Sequence, residues 1–281
     1  MLRWKIGNVT VTRIVDDVDN SLGEMILPVA TPEVLRGIPW LSPHFIDEEG
    51  RLLLSIHALL IESDGQRILV DTCLGNGKER PLPAWNMRKS PFLEDLASVG
   101  GHRDAIDKVL CTHLHIDHVG FNTVREGDRW VPTFPNARYL FARKEWDYWK
   151  EQPEDWGPVV SDSVRPIVDA DLADLVEMDH KISSEVWLEP TPGHTPGHVS
   201  VHIASAGEEA VITGDMIHHP CQIANPDWSA SVDFDGEQST RTRNSFLERY
   251  ADRPVLVIGT HFAGPTAGRV VRDGDAYRLD C

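Results

Sequence analysis

Apolar and polar residues alternate along much of the chain, a pattern that is typical of half-buried β-strands. A turn at residues 63–66 joins two of these strands as a hairpin, and a turn at 273–275 joins the last two. The predicted strands are 9–16, 52–62, 67–71, 106–112, 137–141, 185–189, 198–204, 209–213, 255–259, 268–272 and 276–279.

Four segments favour helices, and they are spread between the runs of strands. Pro166 predicts a kink or break in one of them, because proline cannot donate the backbone hydrogen bond of a helix interior. The predicted helices are 91–99, 143–151, 161–177 and 240–251. Runs of strands with a few helices predict an α/β fold in which two sheets pack face to face and the helices lie outside. No internal repeat and no flexible linker divides the sequence, so we expect one domain over 1–281.

Residues 21–50 differ from this pattern because they combine many apolar side chains with Pro28, Pro32, Pro39 and Pro43. A long, proline-stiffened apolar segment with few strand signals can cover a pocket or contact a second subunit. It can equally be an ordered loop that packs on its own core. We therefore expect a lid or a homodimer contact here, with the ordered loop as the alternative.

Charge and cysteine content narrow the classes of partner. The 281 residues carry 27 Lys and Arg against 44 Asp and Glu, a formal charge of −17, which argues against nucleic acid or an anionic membrane as a partner. No apolar run is long enough for a transmembrane helix, and the first residues lack the apolar centre of a signal peptide. The four cysteines form no C-x-x-C pair, so we expect reduced thiols and a cytoplasmic protein.

The main chemical signal is the segment His113-Leu114-His115-Ile116-Asp117-His118, which directly follows a predicted buried strand. His113 and His115 are two residues apart, so in extended chain they face the same side and can converge on one ion. If the chain then turns, Asp117 and His118 point to a second position. Imidazole and carboxylate ligands suit zinc and related first-row divalent ions.

Three further segments place a polar residue just past a predicted strand, beside glycine or proline. The polar residues are His194 in T-P-G-H-T-P-G-H, Asp215 in V-I-T-G-D and His261 in V-L-V-I-G-T-H. Together with the first motif, they supply enough ligands for a site with two metal ions.

These motifs, from Asp71 to His261, resemble those of the metallo-β-lactamase superfamily in residue type and in order. The resemblance implies a four-layer αββα sandwich of two mixed β-sheets with the metals at one edge. It also implies that Asp71 orients a metal ligand. By the same resemblance the ligands are His113, His115 and His194 at the first metal, Asp117, His118 and His261 at the second, and Asp215 as a bridge between them.

Departures from other branches of the superfamily indicate the lactonase and methyl-parathion-hydrolase-like group. The di-iron flavoproteins have glutamate at the position of His115, which favours two Zn²⁺ ions, and the secreted β-lactamases have cysteine or histidine at the position of Asp215. Acyl-homoserine lactonases have a tyrosine three residues after the bridging aspartate, where this chain has His218. His218 could donate to a substrate or product oxygen, or orient a neighbouring ligand.

The resemblance predicts a dinuclear zinc hydrolase in which a bridging hydroxide opens a small apolar lactone or cleaves an ester. Asp117, or an acid near it, is the expected proton carrier. The alternatives are a phosphotriester hydrolase of the same group, a persulfide dioxygenase with a single iron, and a metal-stabilised binding module without catalysis.

Overall fold

Fifteen strands and seven α-helices make up the structure, a computed structural model that describes all 281 residues. The strands are β1 Arg3–Ile6, β2 Val9–Asp19, β3 Leu54–Ser63, β4 Gln66–Val70, β5 Lys108–Leu110, β6 Thr123–Glu126, β7 Arg129–Pro132, β8 Arg138–Ala142, β9 Ala173–Val176, β10 Val186–Pro190, β11 Val199–Ser205, β12 Glu208–Ile212, β13 Val255–Ile258, β14 Ala267–Asp273 and β15 Ala276–Asp280. The helices are α1 Gly23–Ile26, α2 Pro32–Arg36, α3 Phe92–Ser98, α4 Arg143–Trp149, α5 Arg165–Asp169, α6 Cys221–Ala224 and α7 Gly236–Tyr250. No helix is both long and apolar enough to cross a membrane.

The strands form two large mixed sheets and one small hairpin. The first sheet has the order β1-β2-β3-β4-β5-β8-β9, the second has the order β10-β11-β12-β13-β14-β15, and β6 pairs only with β7. Strands β4, β5, β8 and β9 run parallel to one another, as do β12 and β13, while the other pairs are antiparallel.

Successive side chains of a strand point to opposite faces of its sheet, so the two faces contribute to different buried clusters. In β3, Leu59 and Ile61 point into the space between the sheets, where they join Val201 of β11 and Ile212 of β12 in one buried cluster. Leu60, between them, belongs to a second cluster with α3 on the outer face of the first sheet. Helix α7 and strands of the second sheet form a third cluster. The predicted αββα sandwich is thus confirmed.

Most predicted elements are present within a few residues, with one clear error. The helix predicted over 161–177 is a π-helical turn at Val160–Val164 followed by α5, and the chain then enters strand β9. Asp171, with a φ of 56°, ends the helix. Strands β1, β6 and β7 were not predicted.

The segment 21–50 contains two short helices and packs on the third cluster through Leu27, Leu35, Leu41 and Phe45. This is the packing expected of an ordered loop. Its role as a lid or a subunit contact remains a prediction, as does the assignment of one domain to the whole chain.

Candidate metal centre

The candidate metal ligands lie where strands of both sheets end at a common edge. β4 and β5 are parallel neighbours, so Asp71 after β4 lies close to the H-x-H-x-D-H segment after β5. In the second sheet β12 and β13 are parallel, which brings Asp215 and His261 together in the same way. Asp215 follows Gly214, whose φ of +57° favours glycine.

The three histidines assigned to the first metal converge on one point. His194 Nε2 lies 3.2 Å from His113 Nε2 and 2.9 Å from His115 Nδ1. His113 and His194 are buried, whereas His115 is half-buried at the wall of a cavity. These three atoms are close enough to share one ion.

Asp117, His118 and His261 form a second group of the same kind. His118 Nε2 lies 3.2 Å from His261 Nε2, and Asp117 Oδ2 lies 3.5 Å from that same His261 nitrogen. Asp215 stands between the groups, with Oδ2 3.1 Å from His261 and 3.6 Å from His194. The structure therefore brings all seven predicted ligands into one cluster, with the carboxylate of Asp215 between two ligand sets.

The hydrogen bonds of the first group fit a bound cation. Thr112 Oγ1 donates to Asp71, so it accepts from His113 Nδ1, while Asp233 accepts from His194 Nδ1 at 2.9 Å. Burial lowers the pKa of His113 and of His194 well below the ordinary value, so both rings are neutral. With the proton on Nδ1, each Nε2 carries a lone pair. Two lone pairs face each other across 3.2 Å, which a cation between them would satisfy.

The second group has the opposite electrostatic character. Burial alone would lower the pKa of His118, but the carboxylates of Asp215, Asp71 and Asp117 outweigh it and raise that pKa well above the ordinary value. The pKa of His261 is also raised, chiefly by Asp215 against the effect of burial. A divalent ion here would displace protons from these rings, since a histidine ligand must be neutral at the coordinating nitrogen.

Asp71 and His198 hold the ligands from outside the cluster. Asp71 Oδ2 accepts from His118 Nδ1 at 2.8 Å, and Asp71 Oδ1 accepts from the Thr112 backbone N–H, which fixes the ring at the second group. The sequence predicted this role for Asp71. His198 Nε2 accepts from the Asp215 backbone N–H at 2.8 Å.

His218 is buried beside the cluster, and neither of its ring nitrogens has a hydrogen-bond partner. Its Nε2 lies 3.5 Å from Asp215 Oδ2, and its ring meets that of His194 edge to face at 4.7 Å. Burial lowers the pKa of His218 to about 3, so the ring is neutral, with one N–H to donate.

Two carboxylates that contact the ligand segments were not predicted from the sequence. Asp233 lies in the loop before α7 and accepts from His194 Nδ1, and Glu145 in α4 accepts from backbone groups of two ligand segments. Asp233 follows no strand, and Glu145, although it comes three residues after β8, lies in the first turn of α4, where an acidic residue is ordinary. No pattern in a single sequence therefore marks them.

A cavity of about 340 Å³ opens onto the cluster, and its wall is mainly apolar. His115, Asp117, His218 and His261 are the residues of the cluster and its surroundings that line this cavity together with His194 and Asp215. No Lys or Arg lines it. Its aromatic lining residues are Trp85, Tyr148, Trp149, Trp156 and Phe234.

Two sheets, helices on both outer faces and a His/Asp cluster at the shared edge define an αββα protein with a candidate dinuclear metal centre. Residues 51–261, well over half of the chain, match the family model of the metallo-beta-lactamase superfamily. The chain belongs to the metallo-beta-lactamase superfamily.

Comparison with individual proteins agrees with this assignment. The chain is 25% identical over 176 residues to an N-acyl homoserine lactonase of Bacillus thuringiensis, a match that covers 58% of this chain and 64% of that lactonase. The dizinc quorum-quenching lactonase AidC, solved with the product N-hexanoyl-L-homoserine, superposes with a TM-score of 0.79 at 21% identity, covering 99% of this chain and 96% of AidC. The hydrolase AbOPH gives a TM-score of 0.80 at 21% identity, with the same coverage. At this identity the two structures establish the fold alone.

Proposed function

We propose that the protein is a dinuclear zinc hydrolase that opens a small apolar lactone or cleaves an ester. The observation that carries the proposal is the pair of ligand sets around Asp215, directly below an apolar cavity. The similarity to an N-acyl homoserine lactonase supports lactone or ester chemistry. All seven ligands are nitrogen and carboxylate oxygen, a set that suits zinc and other first-row divalent metals.

Two divalent ions held here would supply Lewis acidity and a hydroxide available near neutral pH. His113, His115 and His194 would hold one ion, Asp117, His118 and His261 the other, and Asp215 both. Asp117 lines the cavity, so we assign it the transfer of a proton to the leaving oxygen.

His218 is the proposed donor to the substrate oxygen. It is neutral, lines the cavity and has an N–H with no partner in the protein. A buried N–H without a partner is costly unless a ligand satisfies it. The apolar wall would hold the acyl or alkyl part of the substrate and exclude water around the reacting bond.

Met25 and Ile26 line the cavity, which supports a lid role for the segment 21–50. We propose that this segment closes over the bound substrate, and that any homodimer contact uses its exposed Val29 and Val34. We also propose that the whole chain is one cytoplasmic domain that acts on a small molecule, without nucleic acid or a membrane as partner.

A phosphotriester is the second candidate substrate. His218 replaces the tyrosine of acyl-homoserine lactonases and resembles the methyl-parathion-hydrolase-like enzymes at this position. An imidazole N–H can donate to a phosphoryl oxygen as well as to a carbonyl oxygen, so this residue alone does not separate the two.

Elemental analysis followed by a hydrolysis screen tests the proposal. We expect two zinc ions per chain and hydrolysis of lactones or aryl esters, with phosphotriesters as the comparison. The double variant His115→Ala/Asp215→Ala should lose both metal and activity, while His180→Ala, at an exposed position, should keep both. One iron per chain with oxygen uptake would identify a dioxygenase instead. Full activity in the double variant would show that hydrolysis does not use this centre, and a wild-type protein that binds metal but hydrolyses none of these compounds would leave a metal-stabilised binding module as the better description.

His218→Phe separates its role from metal binding. Since Phe keeps a similar ring volume but has no N–H, we expect two metals per chain and a loss in kcat of about 10²-fold, the usual cost of one donor to a developing oxyanion. Loss of metal with the activity would mean that His218 is a ligand. Unchanged kcat would remove it from the mechanism.

A further inference from the structure

Glu145 is a fully buried carboxylate in α4 that the proposed mechanism does not use. It forms no salt bridge, and its hydrogen bonds come from three N–H groups. Oε2 accepts from the Leu114 backbone at 3.2 Å and from Trp149 Nε1 at 2.8 Å, while Oε1 accepts from the Gly197 backbone at 2.6 Å. Three donors on one buried carboxyl group fix its position and the positions of the groups that donate to it, because leaving any of these buried polar groups unpaired is costly.

Two of the three donors belong to the segments that carry the first ligand set. Leu114 lies between His113 and His115, and Gly197 is three residues after His194. These two segments come from different sheets, one after β5 and the other after β10. One carboxylate therefore ties together the two chain segments whose histidines must converge on one ion.

The third donor connects the same carboxylate to the cavity. Trp149 lines the cavity wall, and its ring meets the His115 ring edge to face at 5.1 Å. The Trp149 N–H bond to Glu145 sets the orientation of that ring. The position of the apolar wall is thereby tied to the position of a metal ligand.

Gly197 permits this contact because the loop lies directly against α4. A Cβ at Gly197 would stand 2.6 Å from the Glu145 backbone nitrogen and 3.1 Å from its Oε1. Any side chain there would separate the loop from the helix. Gly197 has no left-handed φ, so the requirement for glycine here is one of space rather than of backbone conformation.

We propose that Glu145 is the positioning residue of the first ligand set, holding His113, His115 and His194 at metal-binding spacing and aligning Trp149 with them. The inference rests on the proposed metal-dependent function, since it concerns the assembly of the same centre. Residues that orient metal ligands from outside typically change metal affinity by about 10- to 100-fold when they are replaced.

Glu145→Gln tests this, because Gln has one acceptor oxygen and an NH₂ group that would face an N–H donor. The measurement is a Co²⁺ titration of the metal-free protein, followed by visible absorption and competition with a chelator. We expect one of the two Co²⁺ equivalents to bind about 10- to 100-fold more weakly and its absorption bands to change, while the other equivalent binds as in the wild type.

Glu185→Gln is the matched control, since Glu185 accepts hydrogen bonds from Ser63 and Ser205 and touches no ligand segment. Gly197→Ala is the second variant, because it displaces the loop and keeps the carboxylate. We expect the same selective loss of affinity for one Co²⁺ equivalent. If Glu145→Gln does not fold, Gly197→Ala alone tests the inference. Wild-type affinities for both equivalents in the folded variants, or an equal weakening of both, would overturn the inference. A wild-type protein that binds no Co²⁺ would instead refute the proposed function.

Discussion

At the scale of single residues, the centre depends on which nitrogen of each histidine carries the proton. Asp71 and Asp233 accept from the Nδ1 atoms of His118 and His194, so both Nε2 atoms face the cluster. Nε2 of the neutral His194 carries a lone pair, whereas Nε2 of His118 would give up its proton to a metal. The candidate ligands are thus oriented by groups that lie outside both ligand sets.

Asp71→Asn tests this dependence at the second ligand set. Asp71 has a φ of 59°, a conformation that Asn tolerates well, so the backbone should be unchanged. If Asn keeps its oxygen toward Thr112, its NH₂ group faces His118 Nδ1 and favours the proton on Nε2, where the metal would bind. We expect affinity at one metal site to fall by about 10- to 100-fold in a chelator competition assay. Asp104→Asn, at an exposed position, is the control, and an equal result for both variants would contradict the argument.

At the scale of elements, Lys78, Arg80 and Asp162 form a buried ionic cluster outside the metal centre. Asp162 lies in the π-helical turn Val160–Val164 and accepts from Lys78 Nζ at 3.2 Å and from Arg80 at 2.7 Å. The adjacent Val159 and Val160 line the cavity. The cluster therefore fastens one wall of the cavity to the loop that carries Trp85.

Asp162→Asn leaves two buried cations with no carboxylate, so we expect a loss of about 3–5 kcal/mol in the free energy of unfolding. Burial lowers the pKa of Lys78 to about 8, and removing Asp162 should lower that pKa further. The folded variant then loses the Lys78 proton at a lower pH than the wild type does, so its deficit shrinks as the pH rises toward 8. Urea unfolding at several pH values measures this. Asp128→Asn, at an exposed position, should change the free energy of unfolding little. If the deficit of Asp162→Asn grew with pH, the result would contradict this argument.

The sequence predicted the strands that are well buried, whether mainly on one face as in β2 or on both faces as in β3, because their apolar side chains record that burial directly. It failed at 161–177, where three of the four residues of β9 are only partly buried and a helix leads straight into an edge strand. The His and Asp motifs after strands, together with the family resemblance, predicted seven candidate ligands, and the structure brings their side chains into one cluster. The sequence did not indicate Glu145 and Asp233, which act on backbone or ring N–H groups of segments distant in sequence.

At the scale of the whole molecule, the net charge is −17, and the charged residues that line the cavity are also acidic. No Lys or Arg lines the cavity, whereas Asp117, Asp215, Glu154 and Asp155 do. Two divalent ions at the proposed centre would offset the charge of its own carboxylates, but Glu154 and Asp155 lie outside both ligand sets. With both metals bound, their four positive charges balance the four carboxylates that line the cavity, so the net negative charge of the rest of the molecule acts on an approaching substrate.

We expect this negative charge to make the proposed hydrolase discriminate between neutral and anionic substrates of the same shape. For an aryl ester and its analogue with a carboxylate far from the reacting bond, we expect kcat/KM to be at least about 10-fold lower for the anion at low ionic strength. The gap should narrow with added salt, because the Debye length falls from about 30 Å at 0.01 M to about 8 Å at 0.15 M. Asp155→Asn should reduce the gap more than Asp273→Asn, because Asp273 lies at the end of β14 and does not line the cavity. Equal rates for the two esters at low salt would show that the charge does not govern substrate entry.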